Sequence, residues 1–350
     1  MTFLLLVGAF AVILLGAELF TNAVEWLGHL LGLAEGAVGS VLAAVGTALP
    51  ETMIPLVAIV FGAGSHSDAV GIGAILGAPF MLATLAMFVT GLAVVLRVRG
   101  RRGSDELAID ASILGHDLRV FGLSYGFAIA VACLPADLAP PRWLAAIVLI
   151  VAYGWYVRGH LRAEAGEPAA DLARLRFGRL DPAGRAGGPT PRVRIVVVQL
   201  LVALAAIIGG AVVFVGAVET LARSVGLDET LLSLVIAPIA TELPEKLNSV
   251  IWIRRGKDTL ALGNITGAMV FQAAIPTSIA LVFASGQWSI GGGSWVAFAS
   301  AGVALVSTAL IFLPMIRTGR LFGRRLLLGG LLYLAQLGLV VVSLSGALGA

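Results

Sequence analysis

Residues 41–51 read VLAAVGTALPE and residues 235–245 read VIAPIATELPE. Each copy sets a threonine and a Pro-Glu pair inside an otherwise apolar run. A carboxylate in such a run is costly and marks an ion pathway or a proton relay. Pro50 has no N–H and clashes with the carbonyl four residues back, so the Gly46 carbonyl is released as a ligand. Thr47 adds a hydroxyl, and Glu51, four residues later, faces the same side. In the second copy Ala240, Thr241 and Glu245 supply the same three groups. Two carboxylates with carbonyl and hydroxyl oxygens make an all-oxygen site, the chemistry hard cations such as Ca²⁺ select. The second copy adds Glu242 in the place of Ala48, and Lys246 directly after Glu245. Glu242 and Lys246 stand i, i+4 with the acid first, the favourable order for a helical ion pair. Lys246 then neutralises Glu242 and leaves Glu51 and Glu245 for one divalent cation. A plainer reading makes each motif a proline kink with a satisfied glutamate, against which the repetition argues; the alternative for Lys246 is to snorkel to an interface.

The elements that must position these residues are membrane helices. Of 350 residues, 59% are hydrophobic and 12% charged, and the mean hydropathy is +1.01, which excludes a soluble domain. About 20 apolar residues cross the hydrocarbon core. That rule gives ten spans, near 3–28, 37–62, 69–96, 117–135, 142–160, 194–222, 230–253, 258–284, 294–314 and 326–347. The fold class is therefore an all-α polytopic membrane protein. The first run lacks a basic leader and is too long for a signal peptide, so it is read as the first span. Alternate loops hold Arg97, Arg99, Arg101, Arg102, the arginines of 158–194, Arg254, Arg255, Lys257, Arg317, Arg320, Arg324 and Arg325; the other set holds Arg142 and Arg223. Basic loops stay in the cytoplasm, which puts both termini outside. The scarcity of lysine points to a high-GC bacterial source and an inner membrane. The net charge of +3 sits in short loops and is no nucleic-acid footprint; the partners are inorganic cations and the lipid bilayer. Cys133 is the single cysteine, and His29, His66, His116 and His160 fall at segment ends with no ligand spacing, so no cofactor is implied.

A shift of 194 residues aligns Gly16-Ala17 with Gly210-Ala211, Glu25 with Glu219, Thr47 with Thr241 and Pro50-Glu51 with Pro244-Glu245. GAILG at 73–77 aligns with GNITG at 263–267. The chain divides into repeats at 1–160 and 194–350, with a polar linker at 161–193. Five spans per repeat reverse the direction of entry, so the repeats are inverted and bring both motifs, on broken helices, to the midplane. Gly and Ala in the third and eighth spans serve close packing. Asn264 and Gln272 are the polar groups of the eighth, with Thr266 bonding a neighbour, and Asn264 divides between helix glue and support of the site. Glu25 and Glu219 fall near helix ends. Glu18 lies deeper, as a gate or in a local pair.

These motifs resemble the G-T-S-x-P-E repeats of the cation/Ca²⁺ antiporter superfamily, the sodium/calcium exchanger family, over essentially the whole chain. The resemblance implies alternating-access antiport, with Glu51 and Glu245 as the ion-binding glutamates and Thr47 and Thr241 beside them. Ala48 and Glu242 stand where the family has serine, and Leu82 and Gln272 where it has its Na⁺-holding polar pair. The resemblance thus keeps the Ca²⁺ ligands and loses much of the Na⁺ set, while Gln272, as the polar group left at its position, is counted among the candidate metal ligands; carboxyls withdrawn from water also carry protons. The reading is an antiporter exchanging Ca²⁺ for H⁺ or Na⁺. Alternatives are Mg²⁺, Mn²⁺ or a monovalent cation as substrate, or a regulatory member that binds an ion without coupled transport. No HExxH motif and no paired membrane aspartates support an enzyme.

Overall fold

Apolar runs of this length become helices because main-chain N–H and C=O groups away from water must bond within their own segment. The computed structural model describes residues 2–30, 49–62, 65–96, 104–163, 174–180, 191–226, 233–236, 238, 249–250, 252–254, 256, 258–291 and 294–348. Among the described residues, the α-helices of eight residues or more are, in chain order, α1 (Thr2–Leu30), α2 (Leu49–Leu56), α3 (Ser65–Met81), α4 (Met87–Leu96), α5 (Ala111–Ala132), α6 (Ala139–Ala163), α7 (Val193–Val225), α8 (Asp258–Phe283), α9 (Trp295–Thr318) and α10 (Leu328–Leu348). Wider π-turns follow α2 at Val57–Phe61 and join α3 to α4 at Leu82–Ala86.

Among the described residues seven stretches are long and apolar enough to cross a membrane: Thr2–Phe20, Ser67–Leu96, Ala139–Gly159, Val193–Ser224, Ala261–Phe283, Trp295–Thr318 and Gly323–Ser343. The expected spans at 37–62, 117–135 and 230–253 are not among them. Much of the first and last falls outside the described residues. The middle one begins earlier than expected: Asp110 caps α5 by accepting from the amides of Ser112 (2.9 Å) and Ile113 (3.3 Å), so Asp117 and Arg119 lie inside the helix.

α8 is the central element. It packs against α2, α3, α5 and α6, while α9 packs against α3, α5 and α10. A single apolar core joins these helices, with Phe80, Phe121, Met269, Trp288 and Phe312 within it. The rim is apolar as well: Leu4, Leu15, Leu144, Trp155, Leu201, Leu331 and Val342 are all exposed. A hydrocarbon solvent suits that surface and water does not.

α1 and α7 run side by side in opposite directions. A Cβ at Gly16 would come within 2.8 Å of Ile207 and 3.2 Å of the Ala203 carbonyl. A Cβ at Gly210 would come within 2.8 Å of Ile13 and 3.1 Å of the Ala9 carbonyl. Only glycine allows so close an approach of two backbones. Positions 9, 13 and 16 become 203, 207 and 210 on the same 194-residue shift, so the seam repeats itself when read from either helix. This pair meets the rest of the body through a second apolar cluster that includes Ile54, Val57, Val70 and Ala74 of α2, its π-turn and α3.

Two caps close the ends of the body. At one, Arg142 is fully buried and its guanidinium donates to the carbonyls of Leu134 (2.9 Å), Pro135 (2.8 Å), Ala136 (3.3 Å), Leu138 (2.9 Å) and Trp288 (3.2 Å). At the other, Glu106 and Leu107 (β1) pair antiparallel with Phe322 and Leu321 (β2). Glu106 receives two hydrogen bonds of 2.6 Å from Arg320, and Phe322 lies between Arg320 and Arg324, each about 5 Å from its ring centre (5.3 and 5.0 Å). Both caps join loops that the charge pattern had placed on a common side.

Candidate functional site

Glu51 sits in the first turn of α2, a helix of only eight residues wedged against α1, α3, α7 and α8. It is 4% exposed, so its carboxylate lies inside the body, with Thr52 buried beside it. The sequence of α2 carries a second proline. Pro55 cannot donate to the Glu51 carbonyl, and the chain widens into a π-turn within two residues. Beside the carbonyl expected to be released by Pro50, the one released by Pro55 belongs to Glu51 itself.

Gln272 lies on α8 with no exposed surface, and its side-chain oxygen and nitrogen make no hydrogen bond among the described residues. Leaving both ends of an amide unbonded in an apolar interior costs about 1–3 kcal/mol. The same signal recurs in the backbone: Pro276 withholds its donor from the Gln272 carbonyl, and the Thr277 hydroxyl takes its place at 3.1 Å. A buried carboxylate on α2 and an unbonded buried amide on α8, the helix packed against it, offer oxygen ligands to a cation. Leu82, the position matching Gln272 in the other repeat, is fully buried and apolar.

Gly46, Thr47, Ala240, Thr241, Glu242, Glu245 and Lys246 lie outside the described residues, so the pairing of Lys246 with Glu242 and the approach of Glu245 to Glu51 are not described. Asn264 is half-buried, about two turns from Gln272 along α8. Glu18 is exposed and bonds Arg176 at 2.5 Å, against the linker. Of the two equivalent glutamates, Glu219 accepts from Ser67 at 2.6 Å and from Arg223 at 3.3 Å. It borders a cavity of about 160 Å³ lined by Val57, Phe61, Val212 and Val215. Gly77 does serve packing: a Cβ there would strike the Leu234 carbonyl and Pro238.

One polar cluster escaped the sequence analysis. Asp117 of α5 is 1% exposed and accepts from Thr266 of α8 at 2.6 Å and from Tyr156 of α6 at 3.0 Å. His116 stacks on Tyr156. Asp117 stood at the assumed edge of a span; only the earlier helix start at Asp110 places it inside.

Comparison with known proteins follows the same outline. The family described as sodium/calcium exchanger protein matches residues 1–160 and 195–345. A curated relative, the putative antiporter CaxA of Alkalimonas amylolytica, is 31% identical over 137 residues; the match spans 38% of this chain and 40% of CaxA. Among solved structures, the H⁺/Ca²⁺ exchanger CAX superposes with a TM-score of 0.71 at 16% identity, covering 99% of this chain and 87% of that one. The sodium-calcium exchanger NCX_Mj superposes with a TM-score of 0.57 at 17% identity, covering 97% of this chain and 99% of that one. At these identities the likeness to CAX and NCX_Mj is one of fold.

Proposed function

The chain belongs to the sodium/calcium exchanger protein family, and on that premise we propose that it is a secondary antiporter exchanging Ca²⁺ for H⁺ by alternating access. The observation that carries this reading is Glu51, a carboxylate buried on a proline-broken helix and matched in sequence by Glu245. In the proposed cycle the ionised pair holds Ca²⁺ with the oxygens of Gly46, Thr47, Ala240, Thr241 and Gln272, and the protonated pair returns. Glu242 is held by Lys246 and adjusts the charge of the site. What favours protons over Na⁺ as counter-ion is Leu82, which offers no oxygen, and Gln272, which offers no charge.

The same proposal covers the frame. Ten spans form two inverted repeats, 1–160 and 194–350, and the self-repeating α1–α7 seam supports a two-fold axis in the membrane plane. The arginine-rich loops and the linker 161–193 face the cytoplasm and both termini face outward, with the bacterial inner membrane as location.

The deciding experiment is ⁴⁵Ca²⁺ uptake into proteoliposomes driven in turn by a pH gradient and by a Na⁺ gradient. Uptake driven by the pH gradient alone and abolished by Glu51→Gln is the expected result. Na⁺-driven uptake would replace the counter-ion. No uptake under either gradient would reject Ca²⁺ exchange.

A further inference from the structure

Near the linker end of the α1–α7 pair, two buried amides interrupt an apolar seam. Asn22 of α1 is 6% exposed and Gln199 of α7 is 0% exposed. The Gln199 amide donates to the Leu19 carbonyl (2.8 Å) and to the Asn22 side-chain oxygen (3.0 Å). Both also bond the backbone of the linker. Asn22 accepts from the Arg176 amide at 3.0 Å and donates to the Arg174 carbonyl at 3.4 Å, and Gln199 accepts from the Phe177 amide at 2.8 Å. Between these bonds Leu175 is buried with Ala23 and Trp26 of α1 and Val196 of α7. Arg176 closes the arrangement on Glu18. Leu19, Asn22, Ala23 and Trp26 recur at three- and four-residue spacing, so one face of α1 is built to receive the segment. The segment itself is a short 3₁₀ turn, Arg176–Leu180, joined to α7 by residues 181–192.

We propose that residues 174–180 form a clasp that locks α1 to α7, so that the two helices move across the rest of the body as one rigid gate. This rests on the antiporter reading, in which alternating access comes from the two long opening helices, α1 and α7, moving across the rest of the body. A brake would tie the moving pair to the body against which it moves. The hydrogen bonds of 174–177 and the apolar seat of Leu175 go instead to α1 and α7 together. Around Gly16 and Gly210 the seam is made of small and apolar groups, Ala9, Ile13, Gly16, Ala203, Ile207 and Gly210, which fit closely but whose side chains have no polar atom to fix their register. The clasp supplies polar bonds instead. Its binding face reads main-chain groups, so it depends on Asn22 and Gln199 more than on the identity of the linker side chains.

The test uses reconstituted full-length chain in a Cys133→Ser background. Asn22→Leu with Gln199→Leu is expected to slow exchange about tenfold while the half-saturating Ca²⁺ concentration stays unchanged. Phe177→Pro, which removes one amide donor without touching either helix, is expected to act in the same direction. A disulfide between Ile13→Cys and Gly210→Cys, positions already in contact, is expected to leave exchange by the otherwise unaltered chain intact and to restore it to the clasp variants. Arrest of the unaltered chain by that disulfide would mean that α1 and α7 slide past each other and would overturn the proposal. Full-rate exchange by the clasp variants, or their failure to be rescued, would overturn it too. If no gradient drives exchange at all, the antiporter reading fails separately. The clasp is then judged by amide hydrogen exchange at Arg176 and Phe177: protection lost in Asn22→Leu/Gln199→Leu supports it, and unchanged protection overturns it.

Discussion

At the scale of single residues, the site is marked by groups placed at a cost to the fold. Gln272 is the clearest, a fully buried amide with neither end bonded among the described residues. If it is held for a cation, stability and function should separate on mutation. Gln272→Leu keeps the volume roughly constant and removes the unbonded groups, so it is expected to raise the thermal midpoint in detergent, by the equivalent of about 1–3 kcal/mol. The same change removes an oxygen ligand, so the half-saturating Ca²⁺ concentration is expected to rise about tenfold, the scale of one lost hydrogen bond to a charged group. A stabilised variant with unaltered Ca²⁺ dependence would make Gln272 a packing defect and not a ligand. Sequence alone reached this residue as a polar position on an apolar helix; the two freed carbonyls at Glu51 and Gln272 were equally readable, because Pro55 and Pro276 stand four residues after them. Asp117 was not readable in this way, since its burial depends on where α5 begins.

At the scale of elements, length and apolarity made the helices legible, with α7 and α8 found to within three residues of their expected bounds. The small elements that tie loops together were not legible, because they depend on partners distant in the chain. The β1–β2 pair brings residue 106 to residue 322, and the clasp brings residue 176 to residue 22. The β1–β2 cap carries a pH dependence of defined sign. The Arg320 guanidinium, by hydrogen bond and then by charge, holds the Glu106 carboxyl below its ordinary range, and the Ser112 side chain and amide do the same for Asp110. A carboxyl whose folded pKa is depressed contributes stability that is present above its unfolded value and lost as pH falls through the folded one. The cap should therefore stay closed through neutral and mildly acid pH and loosen only below the usual carboxylate range. Amide hydrogen exchange at Leu107 and Phe322, followed as pH is lowered and corrected for intrinsic rates, checks this. Glu106→Gln is expected to remove most of the pH dependence, and a loosening centred near neutrality would contradict the assignment.

At the scale of the whole molecule, the arrangement of loops links the charge pattern to the fold. Helices that alternate in direction must sort their loops into two sets, and two contacts across the body each join loops of one set. The Arg142 cap joins the loop after α5 to the loop after α8, and the β1–β2 cap joins the loop after α4 to the loop after α9. Contacts alone cannot say which set faces the cytoplasm. The proposed orientation takes this from the arginines, which crowd the β1–β2 end and the linker as they do cytoplasmic loops. The single cysteine turns this into a direct measurement. Cys133 is exposed at the end of α5, on the Arg142 side. In intact spheroplasts a membrane-impermeant maleimide is expected to label Cys133 from outside. With Cys133→Ser and Arg179→Cys, which places the thiol at an exposed linker position, labelling is expected only after the membrane is permeabilised. The reverse pattern would invert the molecule in the membrane and exchange the two mouths of the transport path. It would leave the α1–α7 seam, the buried Glu51 and the family membership as they stand, because none of these depends on which side is which.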